Sequence, residues 1–249
     1  MKPIIHLQGT NHIGVFCILF VMIAFFAVPE KAASFDTDNG SINKELDEFD
    51  KIRLKGNYST RIEPSERFHI TMKGSDRNLG RVNARVEDGV LIVDQKDSRN
   101  WWDYSASSVE LLIESPTWVS ELHVSGFNSL HMLKATNLQS LRVEGAGKVE
   151  IDDITTDFLF IESNGASDIK GKGIADELDI SISGASSLNL DNVISQKATV
   201  NAGGVCRVNI HVKENLVINS GGISQINYSG SPANVETRSG GFSRVQELE

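Results

Sequence analysis

Six histidines, two cysteines and 33 carboxylate side chains are the groups from which this chain can build a metal site or a proton-transfer pair. Their spacing points to neither. Beyond the N-terminal apolar run the histidines are His69, His123, His131 and His211, and no two stand at the short intervals of paired metal ligands. His123 and His131 fall on outward columns of one repeat, and no metal site is expected there. Asp152 and Asp153 suggest sugar chemistry, which needs two carboxyls flanking a glycosidic bond. Neighbours on a strand point to opposite faces, so the pair is not expected to act together. One cluster suits a ligand. Trp101, Trp102 and Tyr104 lie beside Asp97, Arg99, Asn100 and Asp103. Aromatic faces among hydrogen-bonding groups can stack on sugar rings; the competing reading is a loop that shields the end of the fold. The chain has no Gly-rich phosphate loop, no G-x-S-x-G elbow, no H-E-x-x-H and no paired-Cys motif. No catalytic residue and no cofactor are therefore expected.

Ile13 to Val28 form sixteen residues without a charge, after Lys2 and before Ala32-Ala33-Ser34. A bilayer span needs about 20 such residues, so the run suits the apolar part of an export signal, cut after Ser34. Membrane attachment is expected only if that signal stays uncut. Cys17 would leave with the signal, and Cys206 alone cannot form an intramolecular disulfide. The net charge of -9 argues against a grip on nucleic acid. Hydrophobic residues at 40% and charged residues at 23% are those of a folded protein.

The elements that must position any site come from a repeat. Gly126, Gly145, Gly165, Gly184, Gly204, Gly222 and Gly241 recur at intervals of 18 to 20 residues. Four places after each come Leu130, Val149, Ile169, Leu188, Val208, Ile226 and Val245, all aliphatic. Four places before come Leu122, Leu141, Ile161, Ile180, Val200, Ile218 and Thr237. The odd offsets are mostly polar. Alternation with period 2 predicts two short strands with one buried face each. That is too little chain for a βαβ unit, which needs about 30 residues. It suits one coil of a solenoid, in which like positions stack in columns about 4.8 Å apart.

The columns are chemically consistent. Two places after each glycine lie Asn128, Gly147, Ser167, Ser186, Cys206, Ser224 and Ser243, small residues for a tight corner. Cys206 fills a serine-like slot there and reads as a packed thiol, not a nucleophile. Four outward pairs of opposite charge are expected: Arg142 with Glu162, Lys148 with Asp168, Glu150 with Lys170, and Asp152 with Lys172. Asp152, Lys172, Asp191 and His211 read as one charged column, and Asn189, Asn209 and Asn227 as an amide ladder. The last coil carries Thr237, Ser239 and Glu247 at inward positions, as a terminal cap would.

The fold class expected is all-β, a right-handed parallel β-helix of about 19 residues per coil, preceded by a β-rich segment. The boundaries are a signal over 1–34, a flexible lead over 35–45, a β-rich part or cap over 46–120, and seven coils over 121–249. Within 46–120, Phe49, Ile52 and Leu54 lead to Gly56 as a degenerate first coil, and Asp88-Gly89 predicts a hairpin.

Phe49-Asp50-x-Ile52, Asp88-Gly89-x-Leu91, Asn164-Gly165-Ala166-Ser167 and Ser183-Gly184-Ala185-Ser186 resemble, in that order, the putative auto-transporter adhesin head GIN domain family of bacterial envelope proteins. The resemblance covers residues 46 to 249. It implies an exported, parallel β-helical protein without established catalytic residues. No β-barrel translocator follows in the sequence, so a complete autotransporter is not expected. The function read from all this is an exported, non-catalytic envelope protein, in the periplasm or on the surface, mediating adhesion or assembly with a protein or glycan partner. The alternatives are a polysaccharide lyase or hydrolase and a self-assembling scaffold.

Overall fold

Aliphatic and polar residues alternate along most of the chain, and strands form wherever they do. Each strand has one face to bury and a neighbour one repeat away to bond with. The computed structural model describes residues 39–95, 109–116 and 118–248, which fall in the unit Asp36–Glu249. The apolar run 13–28 and the expected cleavage site lie outside the described residues. No helix among the described residues is long and apolar enough to cross a membrane.

The strands are β1 (Asn39–Glu45), β2 (Lys51–Pro64), β3 (His69–Ser75), β4 (Val82–Glu87), β5 (Val90–Gln95), β6 (Val109–Ser115), β7 (Glu121–Met132), β8 (Ala135–Thr136), β9 (Ser140–Gly184), β10 (Ser187–Ala202), β11 (Val205–Ser220), β12 (Ile223–Ser229), β13 (Asn234–Ser239) and β14 (Arg244–Glu247). One helical turn, α1 (Asp76–Leu79), follows β3, capped by the Ser75 hydroxyl accepting from the Asn78 amide. All strands join one mixed sheet in the order β1-β3-β6-β2-β7-β9-β10-β11-β12-β14, with β13 beside β11.

From β2 onward the repeat segments pair in parallel, and the register follows the sequence columns through each corner. Leu122 lies beside Leu141, Gly126 beside Gly145 and Leu130 beside Val149. Leu188 pairs with Val208, Val208 with Ile226, and Ile226 with Val245. The inward columns form the core: Ile52, Leu122, Leu141, Ile161, Ile180, Val200 and Ile218 are all buried. Each such side chain contributes about 1.5–3 kcal/mol. The final rung is the exception, since every residue of β13 is exposed, Thr237 and Ser239 included.

Gly56 pairs with Gly126, so β2 is itself a rung in register. On the other side of β2, β5 pairs with Lys51–Lys55 and β6 with Tyr58–Pro64, both in parallel. That rung is laid down after β2 but sits before it, which breaks the period. The hairpin at Asp88-Gly89 joins β4 to β5, with φ of 50° and 75° at its two central residues. The polar run read as a flexible lead through residue 45 is a strand from Asn39, paired antiparallel with β3. Its side chains are mostly exposed, so the backbone ladder and not burial holds it.

Two of the four expected charge pairs cross between rungs: Arg142 to Glu162 at 3.3 Å and Lys172 to Asp152 at 3.7 Å. The other four residues pair along their own strands, Lys148 with Glu150 at 3.6 Å and Lys170 with Asp168 at 3.7 Å. Residues two apart share a face, and a long lysine reaches either neighbour. The column Asp152, Lys172, Asp191, His211 forms only this first link and does not continue past Lys172. A register shift places Asn192 beside Lys172, and His211 beside Ile194. The amide ladder is partly formed, with Asn227 donating to Asn209 at 2.7 Å while Asn189 accepts from the Asp191 amide. Asn219 donating to Asn201, and Asn234 to Asn215, each at 2.9 Å, add two rungs of the same kind.

Candidate functional site

The aromatic cluster of Trp101, Trp102 and Tyr104 lies outside the described residues. What the described residues build is a polar cleft on the outward face of β3, β6, β2 and β7. Alternation puts Thr71 and Lys73, Glu110 and Leu112, Arg61 and Glu63, and Ser129 and His131 on one side of these four strands, lining an open space of about 380 Å³. The charges are largely matched within the face. Arg61 pairs with Glu63, and at its edge His69 meets Glu114 at 3.1 Å. Thr71 donates to Asn43 at 2.8 Å. Such a surface offers hydrogen bonds of both kinds with little net field, which suits a hydroxyl-rich ligand better than an anion.

The His131 ring meets Asp152 at 2.7 Å, the pairing of a base with its orienting carboxylate. Among the described residues no hydroxyl or thiol hydrogen-bonds the ring from its other side. His123 faces Glu144 at 3.5 Å, so the two histidines engage different carboxylates. No group of three or more His, Cys, Asp or Glu residues among the described residues could hold a metal. Asp152 and Asp153 do not point to opposite faces as expected. The chain turns a corner between buried Ile151 and buried Ile154, and both carboxylates face outward, Asp153 toward Lys134 at 3.5 Å.

The His131 hydrogen bond, aided by Lys172, holds the Asp152 carboxyl below the usual carboxylate range. The stabilisation is present above the unfolded-state pKa, about 3.9, and is lost as pH falls through the lower folded value. A carbon-13 titration should find Asp152 ionised below the usual carboxylate range, and His131→Ala should raise its pKa. An unchanged pKa in that variant would refute the assignment.

Cys206 sits under a corner and its thiol donates to the Gly203 carbonyl three residues back. The same link recurs at other rungs: Asn128 to Ser125 at 2.8 Å, Ser224 to Gly221 at 3.3 Å, and Ser243 to Gly240 at 2.8 Å. At these four rungs the side chain supplies a donor to a corner carbonyl. Burial pushes the Cys206 thiol above its usual range. It should resist alkylation at pH 8 in the native chain and react at once after denaturation. Fast native labelling would exclude a packed structural role.

The reading of odd offsets as mostly polar missed one column. Directly after each corner glycine come Phe127, Ala146, Ala166, Ala185, Val205, Ile223 and Phe242, all apolar. Phe127 is 62% exposed, Val205 43%, Ile223 58% and Phe242 86%. Pairing of Phe127 with Ala146 and of Val205 with Ile223 makes the column a continuous ridge. The Ala185, Ile223 and Phe242 amides each bond to the corner glycine one rung before. Scoring each column separately in the sequence reveals this ridge.

A sequence profile described as putative auto-transporter adhesin, head GIN domain, matches residues 48–232. No curated protein sequence matches the chain. Among solved structures, a putative adhesin from Bacteroides fragilis is similar over 86% of this chain and 98% of its own, with a TM-score of 0.76 at 19% identity. A putative lipid binding protein from Parabacteroides distasonis covers the same shares with a TM-score of 0.60 at 14% identity. A putative adhesin from Parabacteroides merdae does so at 0.57 and 20%. At these identities the likeness is one of fold.

Proposed function

The chain belongs to the putative auto-transporter adhesin head GIN domain family, and from that premise we propose that it is an exported, non-catalytic protein of the bacterial envelope that mediates adhesion or envelope assembly. In this reading residues 1–34 are the export signal, and 121–249 wind as seven coils of a right-handed parallel β-helix behind the β-rich part over 46–120. Parallel neighbours joined by a crossover in one sheet are right-handed in about 98% of cases, which supports the hand. The observation that carries the functional reading is the even ladder from β7 to β14. Its corner glycines stay 18 to 20 residues apart, leaving no long insertions of the kind that wall a polysaccharide cleft. A regular face of hydroxyls, amides and matched charges suits contact with a protein or glycan.

Protease digestion of intact and outer-permeabilised Gram-negative cells expressing the full chain tests location. Cleavage in intact cells supports adhesion at the surface, and protection until permeabilisation supports assembly within the periplasm. Retention in the cytoplasm would sink the proposal. So would a saturable turnover of an acidic polysaccharide lost on one carboxylate substitution.

A further inference from the structure

We infer that the corner ridge is a self-complementary docking surface, on which a second copy of this chain packs antiparallel about a two-fold axis at Ala185. An exposed apolar line through seven successive rungs is unusual on a solvated fold. Reversal evens its side-chain sizes at the positions between the centre and the ends. With Ala185 facing Ala185, Ala166 of one copy faces Val205 of the other, Ala146 faces Ile223, and Phe127 faces Phe242. Small meets large at both intermediate positions, as interdigitation requires.

The flanking charges are complementary in this direction. Lys148, Asp168, Arg207 and Arg244 lie two places beyond Ala146, Ala166, Val205 and Phe242, on one side of the ridge. An antiparallel pair sets Asp168 of one copy beside Arg207 of the other, twice by symmetry. It sets Lys148 beside Gln225 and Arg244 beside Ser129. A parallel pair would exchange the flanks and set Lys148 of one copy beside Glu144 of the other. It would, however, face Ala146, Ala166 and Ala185 each with itself between larger residues, so side-chain size and not charge selects the antiparallel direction. On the other flank Glu144 is the one charged residue among the seven rungs, and it meets Gly221. Seven rungs span about 29 Å, and three outward columns about 14 Å, so roughly 400 Å² per copy is covered. A standard interface covers about 800 Å² per partner, so this contact is expected to be weak and reversible. It goes beyond the family reading and meets the polar face only at its edge, at Ser129.

The test uses the full-length gene product purified after export, with Cys17→Ser so that no N-terminal thiol interferes. Sedimentation equilibrium should show a monomer–dimer exchange that Val205→Asp weakens at least tenfold. Asp168→Arg should weaken it as well, and adding Arg207→Asp should restore it, which a merely misfolded variant could not do. With a short bis-maleimide, Ala185→Cys should link to itself across the axis. Ala146→Cys should not, because its two copies lie four rungs apart, about 19 Å. A monomer at every concentration would overturn the inference. Equal linking at positions 146 and 185 would overturn the antiparallel arrangement. A monomer that pellets with phosphatidylethanolamine–phosphatidylglycerol vesicles, and loses that binding with Val205→Asp, would instead assign the ridge to a lipid surface.

Discussion

Gly184→Ala is expected to lower the stability of the fold by about 3 kcal/mol or more, while Gly221→Ala stays within about 1 kcal/mol of the parent. Both glycines lie at corners, and Gly184 is exposed, so burial alone would forecast tolerance at both. The backbone decides otherwise. Gly184 has a φ of 88°, a region that costs an L-residue about 1–2 kcal/mol. A Cβ there would stand 2.3 Å from the Gly165 carbonyl oxygen. That oxygen cannot withdraw cheaply, because it accepts the Ala185 amide at 2.8 Å. Nor can Gly184 itself move freely, since Gly204 stacks on its carbonyl with the same closeness, 2.4 Å for an added Cβ. At Gly221 an added Cβ meets nothing within 4 Å. Removing a glycine's unfolded-state freedom there can even stabilise slightly. Urea denaturation followed by far-UV circular dichroism compares the two variants. Equal losses would mean that the stacked corners are not what holds the rungs in register.

That column was visible in the sequence for the same reason. Only glycine fits a positive φ beneath another backbone, so the requirement prints one residue type at a constant interval. The inward aliphatic columns were visible because burial demands apolar side chains at every second position. What the sequence hid falls into three physical kinds. β5 and β6 form a rung out of chain order, so no period in the numbering reveals them. Asp152, Asp153, Asp191 and Asn192 lie at the second corner, where register shifts spoil a fixed offset. The salt-bridge partners were ambiguous because exposed charges at two residues along and one rung across are nearly equidistant, and each pair is worth only about 0–1 kcal/mol. The candidate site was the least legible part. Its cleft is assembled from four strands whose order is not the chain order, and its ridge hides among offsets whose average is polar.

Tyr58→Ala is expected to destabilise by about 3–5 kcal/mol, and Tyr58→Phe by about 1–2 kcal/mol. Tyr58 occupies the corner column that Asn128 and the serines continue, yet it carries the one large side chain there. It is 1% exposed. The corner turns over its ring: an added Cβ on Gly56 would lie 2.8 Å from it. The neighbouring strand on that side is β6, with Val109 beside Tyr58, so the ring fills space that smaller residues leave to their neighbours on later rungs. The hydroxyl donates to the Lys55 carbonyl at 3.2 Å, the same link to the third residue back that Asn128, Cys206, Ser224 and Ser243 make. Phenylalanine keeps the ring and removes that donor, so its cost measures the hydrogen bond. Alanine removes both and adds a cavity. Serine separates the two, since it restores the hydroxyl type used on later rungs without the volume. If packing dominates, chemical denaturation will place Tyr58→Ser near Tyr58→Ala and far below Tyr58→Phe. If instead the serine variant approaches the parent and the phenylalanine variant falls to the level of alanine, the carbonyl link holds the first corner and the ring merely occupies it.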